Sequence, residues 1–307
     1  MQNPDENDHK VPESGTRLPA LARLHKKVIK ATDIASQFWC EKQMELGYLY
    51  GKERTAEMRR GEEIHKSIED RTNIPVELKP ASYSDSFYRS LYISYLSAST
   101  LRERLVAREL SIFGSANGFK IAGKIDEVRY EDGKVVVYED KTKNSDREPS
   151  YAQIYSHEAQ VLLYVKMLND VKNGAFTLSN LAKGWGTGTM AITESFNAQL
   201  DAMGISSDER SVNAVADRYL SSLRSIGEVS DVAFIRYTNA ESGNIIKSYR
   251  VEYSQRDIEE RLSYAMVYWN GLRDAKPVDE NEKWKCNYCP FFGKQCTVWY
   301  KEPQKVL

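Results

Sequence analysis

The spacing of apolar residues changes along the chain from a helical period to short strand-like runs and back again. Apolar residues recur three and four positions apart, as on one face of a helix, over residues 30–50, 84–107, about 150–172, 192–227 and a last segment from about 255. Thr32 or Asp33 is the predicted N-cap of the first helix, and Ser254 is the predicted N-cap of the last. The chain is therefore expected to be helical at both ends of a strand-rich centre.

The central strand-like runs are "ARELSIFG", "GFKIAGKIDEVRY" and "GKVVVYED". They are joined at Asn117-Gly118 and Asp132-Gly133, and these dipeptides are strong signals for two-residue hairpin turns. Two further runs, "DVAFIRYT" and "NIIKSYRVEY", predict another strand pair. The order of helix, three-strand meander, helix and strand pair predicts an α/β fold, with a central mixed sheet flanked by helices and with helical insertions.

Composition bounds the domain organisation. The chain has 307 residues, a formal net charge of -1 and 41% hydrophobic residues, which is enough for a substantial core. Residues 21–307 are predicted to form a single domain after a polar, disordered tail at 1–20. No apolar run approaches the ~18 residues of a membrane span, and no secretion signal is visible. We expect an intracellular protein, cytoplasmic if its source is prokaryotic, in which any nucleic-acid surface is local.

The third central strand ends in two acids and a lysine. A two-residue turn at Asp132-Gly133 places Asp126 directly opposite Glu139, on one face of the hairpin. Lys141 shares that face because side chains alternate along a strand, whereas Asp140 points to the other side. Facing carboxylates repel each other unless a cation lies between them, so the pair predicts an Mg²⁺ or Mn²⁺ site. The alternative is an ordinary strand end with solvated charges.

Other residues are candidates for the same site. His65, on a predicted helix, could complete the metal site as a neutral imidazole. Gln160 and Tyr164 lie four residues apart on one helix face and could hold a phosphate or stack on a base. A two-residue turn at Asn117-Gly118 would also place Glu109 opposite Asp126, as a possible accessory acid. Each of these has a plain structural alternative, namely a surface helix histidine, a polar helix edge or a solvated strand charge.

The four cysteines form a second constellation. Cys286, Cys289 and Cys296 cluster near the end of the chain, and Cys40 lies in the first long helix. With no secretion signal, metal ligation is favoured over disulfides. A site with four thiolates suits either zinc or a four-iron four-sulfur cluster, and it would join the N-terminal helix to the C-terminus.

Together these features resemble the exonuclease V family, within the RecB-type branch of the PD-(D/E)xK nucleases. The matching stretches run in family order over about residues 30–299: "SQFWCEKQMELG", "RRGEEIH", "ARELSIFG", "GKIDEVRY", "EDKTK", "EAQVLLYVKML", "AMVYWNGLRDAKPVD" and "WKCNYCPFFGKQC". The resemblance implies a restriction-endonuclease-like PD-(D/E)xK core, a C-terminal iron–sulfur segment and metal-dependent exonuclease activity on single-stranded DNA, in DNA repair or processing.

The resemblance also implies roles for individual residues. Its metal and catalytic set corresponds to His65, Asp126, Glu139 and Lys141, its following motif to Gln160 and Tyr164, and its 4Fe-4S ligands to Cys40, Cys286, Cys289 and Cys296. We expect a monomer that acts on single-stranded DNA, with a single-strand-binding protein as a candidate partner and no membrane. Three alternatives stay open: a related CRISPR adaptation-type nuclease, a DNA-binding module without catalysis, and a zinc-stapled scaffold.

Overall fold

A computed structural model describes residues 18–51, 59–60, 63 and 77–300. The helices are α1 (Ala20–Arg23), α2 (Ala31–Tyr50), α3 (Tyr83–Ser99), α4 (Leu101–Arg104), α5 (Tyr151–Lys172), α6 (Leu178–Trp185), α7 (Glu194–Ala202), α8 (Val212–Ser225) and α9 (Gln255–Trp269), with 3₁₀ turns at Ser207–Glu209 and Glu280–Tyr288. The strands are β1 (Ile29–Lys30), β2 (Val106–Ala116), β3 (Phe119–Glu131), β4 (Lys134–Lys143), β5 (Glu228–Val229), β6 (Val232–Asn239) and β7 (Ile245–Glu252). The predicted mixed α/β fold with a central mixed sheet is confirmed.

The sheet is built on the predicted meander. β2, β3 and β4 are antiparallel neighbours, β6 adds to β4 in parallel, and β7 pairs antiparallel with β6. Both hairpin turns have two residues with positive φ, 47° and 80° at Asn117-Gly118 and at Asp132-Gly133 alike. Two successive positive φ values define the turn type that matches the twist of a hairpin, and they explain the Asn-Gly and Asp-Gly sequences. The predicted register of both hairpins is therefore correct.

One edge of β3 is shared by two strands. On the other edge, β2 pairs with β3 from Phe119 to Arg129 except at Asp126, whereas β4 pairs with β3 from Glu127 to Glu131 and β1 pairs with it near Ile121. Asp126 lies between these two pairings, where β4 separates from β3. This point of separation beside Asp126 is called the fork. Because α2 starts directly after β1, its N-terminal turns are brought to the fork.

The core lies between the sheet and the helices. α5 packs against α2 and against β2, β4 and β6, and α3 packs against α8 and β2. α5 is apolar on most of its circumference, with Val161, Leu162, Leu163 and Val165 all buried. A helix buried on nearly every side has little freedom to shift, so α5 is a rigid support for the polar side chains at its N-terminal half.

Several predicted boundaries differ from the structure. α2 is capped at Lys30 rather than at Thr32 or Asp33, since the Asp33 carboxylate lies at the third helical position and accepts the Lys30 amide at 2.8 Å. The single helix predicted over 84–107 is two helices, Tyr83–Ser99 and Leu101–Arg104, and Leu105 then takes a left-handed conformation with φ of 61° before β2 begins. The region 192–227 contains two α-helices and a 3₁₀ turn.

Candidate active site

Asp126 and Glu139 lie side by side at the fork, as the hairpin register predicts. The last ladder pair is Glu127 with Tyr138, and the next position on each strand is Asp126 and Glu139. Here a side chain replaces the backbone ladder, because Asp126 Oδ2 accepts the Asp140 amide at 2.8 Å. This bond fixes the Asp126 carboxylate against β4 beside Glu139.

Glu139 carries the strongest electrostatic perturbation at the fork. Its side chain is 2% exposed, and burial followed by the charge of Asp126 raises its pKa to about 8, against the lowering effect of Lys141. Glu139 Oε1 accepts from Lys141, but Oε2 is buried without a hydrogen-bond partner among the described residues. An orphaned carboxylate oxygen in the interior is costly and needs an explanation. A divalent cation between Glu139 and Asp126 would give that oxygen a partner, so the donor set fits a metal.

Lys141 is held by both the sheet and α5. Its Nζ donates to Glu139 Oε1 at 2.6 Å and to Gln160 Oε1 at 3.1 Å. Gln160 in turn donates to the Tyr164 hydroxyl at 3.0 Å, and that hydroxyl donates to the Lys124 carbonyl at 2.9 Å. Burial alone would lower the pKa of Lys141, but the two carboxylates hold it above its ordinary value, so the ammonium stays charged.

The positions of Gln160 and Tyr164 revise their predicted role. Tyr164 is 1% exposed and Gln160 is 3% exposed, and both are engaged in the chain of bonds that ends at Lys141. A buried ring cannot stack on a base, so the prediction of base stacking by Tyr164 is wrong. A direct phosphate contact of Gln160 stays a prediction. In this structure both residues orient Lys141.

Gly123 makes room for the Tyr164 ring. A Cβ atom at Gly123 would lie 2.5 Å from Tyr164 Cε1 and 3.1 Å from the Cβ of Ala31. Such a distance to an aromatic carbon is not tolerated without movement of the ring. The glycine of "IAGKIDE" therefore serves the approach of α5 to β3, and sequence reasoning did not identify it.

Asp140 belongs to a different cluster on the opposite face, as its parity predicts. Arg236 binds it through Nε at 2.7 Å and through Nη2 at 2.9 Å, and Arg108 approaches at 3.3 Å. The same two arginines also pair with Glu127, which is completely buried. Asp140 is thus a structural residue behind the active face.

Glu109 is not paired with Asp126 in the ladder, although the turn at Asn117-Gly118 predicted that it would be. Glu109 has a left-handed backbone with φ of 53°, and its pairing with Asp126 is missing from an otherwise regular ladder. Its carboxylate lies 2.8 Å from Lys124 Nζ. The local break in β2 therefore removes Glu109 from the direct pairing, and its accessory role stays a prediction. His65, the predicted third metal ligand, lies outside the described residues.

A cleft of about 740 Å³ opens from Lys141 and Gln160 toward the cysteines. α2 lines it with Ser36 and Trp39, and α5 lines it with His157. Cys40, Pro290 and Phe291 also line it. Lys141 and Gln160 of the candidate catalytic site thus share one cleft with residues of the cysteine segment.

The four cysteines line a common small cavity, together with Phe292 and Trp299. Cys40 lies at a kink in α2, where its φ of -164° and ψ of 107° interrupt the helix. Burial and the neighbouring thiols raise the pKa of Cys40 to about 11. Backbone amides donate to two of the sulfur atoms, from Gln43 and Val278 to Cys40 and from Phe291 and Phe292 to Cys289. Amide donors of this kind surround metal-bound thiolates, so the donor set fits a metal cluster.

Two further observations concern preformed metal sites and membrane spans. Among the residues that the structure describes, no three histidine, cysteine, aspartate or glutamate side chains are already arranged to hold a metal ion. Within the same residues, no helix has the length and apolar character to cross a membrane.

His157 and Tyr237 lie near Lys141, and the sequence interpretation did not single them out. His157 lies one turn before Gln160 on α5, and Tyr237 is the register partner of Lys141 on β6. The spacing of His157 and Gln160 was readable from the sequence. The pairing of Lys141 with Tyr237 was not, because β4 and β6 are joined by almost ninety residues without a turn that fixes their register.

Comparison with known proteins identifies the family of this chain. The sequence model of a family described as "Exonuclease V - a 5′ deoxyribonuclease" matches residues 18–134 and 214–300, which is more than half of the chain. Exonuclease V of Danio rerio is 25% identical over 291 residues, covering 92% of this chain and 72% of that protein. The solved structure of SSO0001 matches with a TM-score of 0.41 at 13% identity, covering 89% of this chain and 91% of that one. The chain therefore belongs to the exonuclease V family and is a deoxyribonuclease.

Proposed function

We propose that this deoxyribonuclease is a metal-dependent exonuclease that degrades single-stranded DNA. The observation that carries the proposal is the pair of carboxylates at the fork, Asp126 and Glu139, with one Glu139 oxygen buried and orphaned beside Lys141. These two residues would hold a divalent cation, and His65 would complete its protein ligands. When bound, the cation would polarise the phosphoryl group and activate an attacking water.

The chain's own residues then contribute charge and position. Lys141 holds a positive charge next to the reacting phosphate and stabilises the additional negative charge of the transition state. Gln160 and Tyr164 keep the Lys141 ammonium from rotating away, because each hydrogen bond in the chain fixes the next donor. A charge that is already oriented costs no reorganisation during the reaction.

Single-strand preference is supported by the cleft. Its walls carry polar side chains from α2 and α5 together with the Trp39 ring, and aromatic rings give single strands a sequence-tolerant stacking surface. The family description specifies a 5′ deoxyribonuclease, and we extend this polarity to the present protein.

Digestion of end-labelled oligonucleotides tests the proposal. Purified protein with Mg²⁺ or Mn²⁺ is expected to degrade single strands, to leave duplex largely intact and to stop in EDTA. Lys141→Ala and Glu139→Gln should abolish turnover, whereas Asp140→Asn, the matched change one position away, should retain it. A block on the 5′ end should protect the strand and a block on the 3′ end should not. Activity that persists in EDTA, or that survives Glu139→Gln, would contradict the metal site.

We also propose that Cys40, Cys286, Cys289 and Cys296 hold a 4Fe-4S cluster. The support is their common cavity, the amide donors to sulfur and the use of every cysteine in the chain. Anaerobically purified protein is expected to be brown and to contain about four iron atoms per chain. If this protein instead contains stoichiometric zinc and no iron, the proposal of a cluster is wrong and the four cysteines form a structural zinc site.

A further inference from the structure

The Nδ1 atom of His157 lies 2.7 Å from the hydroxyl oxygen of Tyr237, and the two rings tilt against each other at 5.7 Å. The partners come from different elements, since His157 is on α5 and Tyr237 is on β6. Tyr237 is fully buried, and burial raises its pKa, so its phenol stays protonated and has a proton to donate. The hydrogen bond therefore locks the imidazole in one orientation at the wall of the cleft.

Tyr237 lies on the strand next to Lys141, on the side of β4 opposite β3 and Asp126. Across the sheet, Asp126 is on β3, Glu139 and Lys141 are on β4, and Tyr237 is on β6 opposite Lys141. Neighbouring strands are about 4.8 Å apart, so Tyr237 is displaced by about one strand spacing from Lys141. The charge of Lys141 also acts on His157, so the imidazole lies near Lys141, where we expect the DNA next to the reacting phosphate to pass.

The charge of His157 decides which contact it can make. Burial lowers its pKa well below 6.5, and the positive charges of Lys141 and Lys143 lower it further. The ring is therefore neutral near pH 7 and has a single N–H group. If Tyr237 donates to Nδ1, the proton is on Nε2, which is the ring nitrogen left for the cleft.

We propose that His157, oriented by Tyr237, is a substrate-binding residue whose Nε2–H donates to the DNA phosphate adjacent to the one being cleaved. The inference rests on the proposed function, because it assumes that DNA occupies the cleft lined by Lys141 and His157. A neutral donor suits this place, since it holds a neighbouring phosphate without competing with Lys141 for the charge at the reacting centre.

Single-turnover and steady-state digestion of chemically altered strands test the inference. His157→Ala is expected to lower kcat/KM about tenfold to a hundredfold on an unmodified single strand, as for the loss of one hydrogen bond to a charged group. The same strand is then prepared with one neutral methylphosphonate linkage at a time, on either side of the first cleavage site. At one of these linkages, the kcat/KM of the unaltered protein should fall to the value that His157→Ala has on the unmodified strand. The kcat/KM of His157→Ala should not fall further at that linkage.

Tyr237→Phe separates positioning from folding. It keeps the buried ring and removes only the hydroxyl, so it should lower kcat/KM by a few-fold to tenfold on unmodified strands, with a smaller loss on the methylphosphonate strand identified above. Tyr249→Phe is the matched control, because Tyr249 lies on the next strand and its hydroxyl binds the exposed Glu148. It should behave like the unaltered protein.

The outcomes distinguish this inference from the proposed function. The inference is wrong, and the proposed function stands, if the unaltered protein degrades single strands and His157→Ala has the same kcat/KM. The inference is also wrong if the loss of kcat/KM from His157→Ala and the loss from the neutral linkage multiply at every altered linkage. If the unaltered protein, loaded with metal, does not degrade single strands, both are wrong. Thermal melting of each variant, and binding of a fluorescent single strand in EDTA, show whether a loss of activity reflects unfolding or a lost contact.

Discussion

Replacing Glu139 by glutamine should stabilise the metal-free protein while abolishing catalysis. Lys141 supplies one positive charge at the fork, and Asp126 and Glu139 supply two negative charges when both are ionised. One of the two negative charges therefore has no compensating positive charge until a carboxylate binds a proton or the site binds a cation. Glutamine has nearly the same shape without the charge, so it should remove the repulsion and leave the electrostatic attraction between Asp126 and Lys141.

The magnitude follows from the raised pKa of Glu139. The carboxyl ionises near 4.5 in the unfolded chain and at about 8 in the folded protein. Between these values the folded state binds more protons, so the free energy of unfolding falls as the pH rises through this window and levels off above it. The whole difference corresponds to on the order of 5 kcal/mol. Without metal, Glu139→Gln should therefore match the unaltered protein near pH 4.5 and exceed it increasingly toward pH 8.

Urea unfolding at several pH values in EDTA, and again in Mg²⁺, measures this effect. Mg²⁺ should stabilise the unaltered protein more at pH 8 than at pH 5, and it should have little effect on Glu139→Gln. Glu127→Gln is the control, since that buried carboxylate is paired with Arg108 and Arg236 on the opposite face and its loss should destabilise the protein by about 3–5 kcal/mol. A Glu139→Gln protein that is less stable than the unaltered one at pH 8 in EDTA would refute the reasoning.

Three further changes probe the supports of the site. Asp140→Asn should reduce the free energy of unfolding by about 1–3 kcal/mol, because two arginines lose a charged partner, yet kcat of the folded enzyme should stay close to normal. Gly123→Ala should displace the Tyr164 ring and lower the free energy of unfolding in urea by about 1–3 kcal/mol. It should also remove most of kcat, because Tyr164 and Gln160 then no longer hold Lys141 in place. Cys40→Ala should lower both the iron content and the melting temperature, and a brown protein with unchanged iron would exclude Cys40 as a ligand.

The central hairpins could be predicted from the sequence because their determinants are local. Asn117-Gly118 and Asp132-Gly133 each force a two-residue turn, and a two-residue turn fixes every pair that follows it. The proximity of Asp126 and Glu139, one position beyond the last ladder pair, and the opposite orientation of Asp140 follow from extending that register. This part of the site needed no knowledge of tertiary packing.

The rest of the site depends on contacts between distant segments. The left-handed backbone at Glu109 breaks the ladder although its sequence, "ARELS", gives no turn signal. Tyr164 has the same helical spacing whether it faces DNA or the core, and only the close approach of α5 to Gly123 decides that it is buried. The parallel register that sets Tyr237 beside Lys141 has no local determinant at all.

α2 lines the cleft from its first turns to Cys40, so it mechanically couples the sheet to the C-terminal segment. Its first turns follow β1 at the fork, the carbonyl of Ala35 accepts the Ser156 hydroxyl of α5 at 2.6 Å, and its helical path is interrupted at Cys40. Just beyond the kink, Glu41 binds Arg273 and accepts the Lys276 amide. The C-terminal segment is thus tied to α2 by charges, and the proposed cluster would add a second link through Cys40. Loss of a cluster should therefore loosen the cleft wall around Cys40 before it disturbs the carboxylates, which the sheet holds independently.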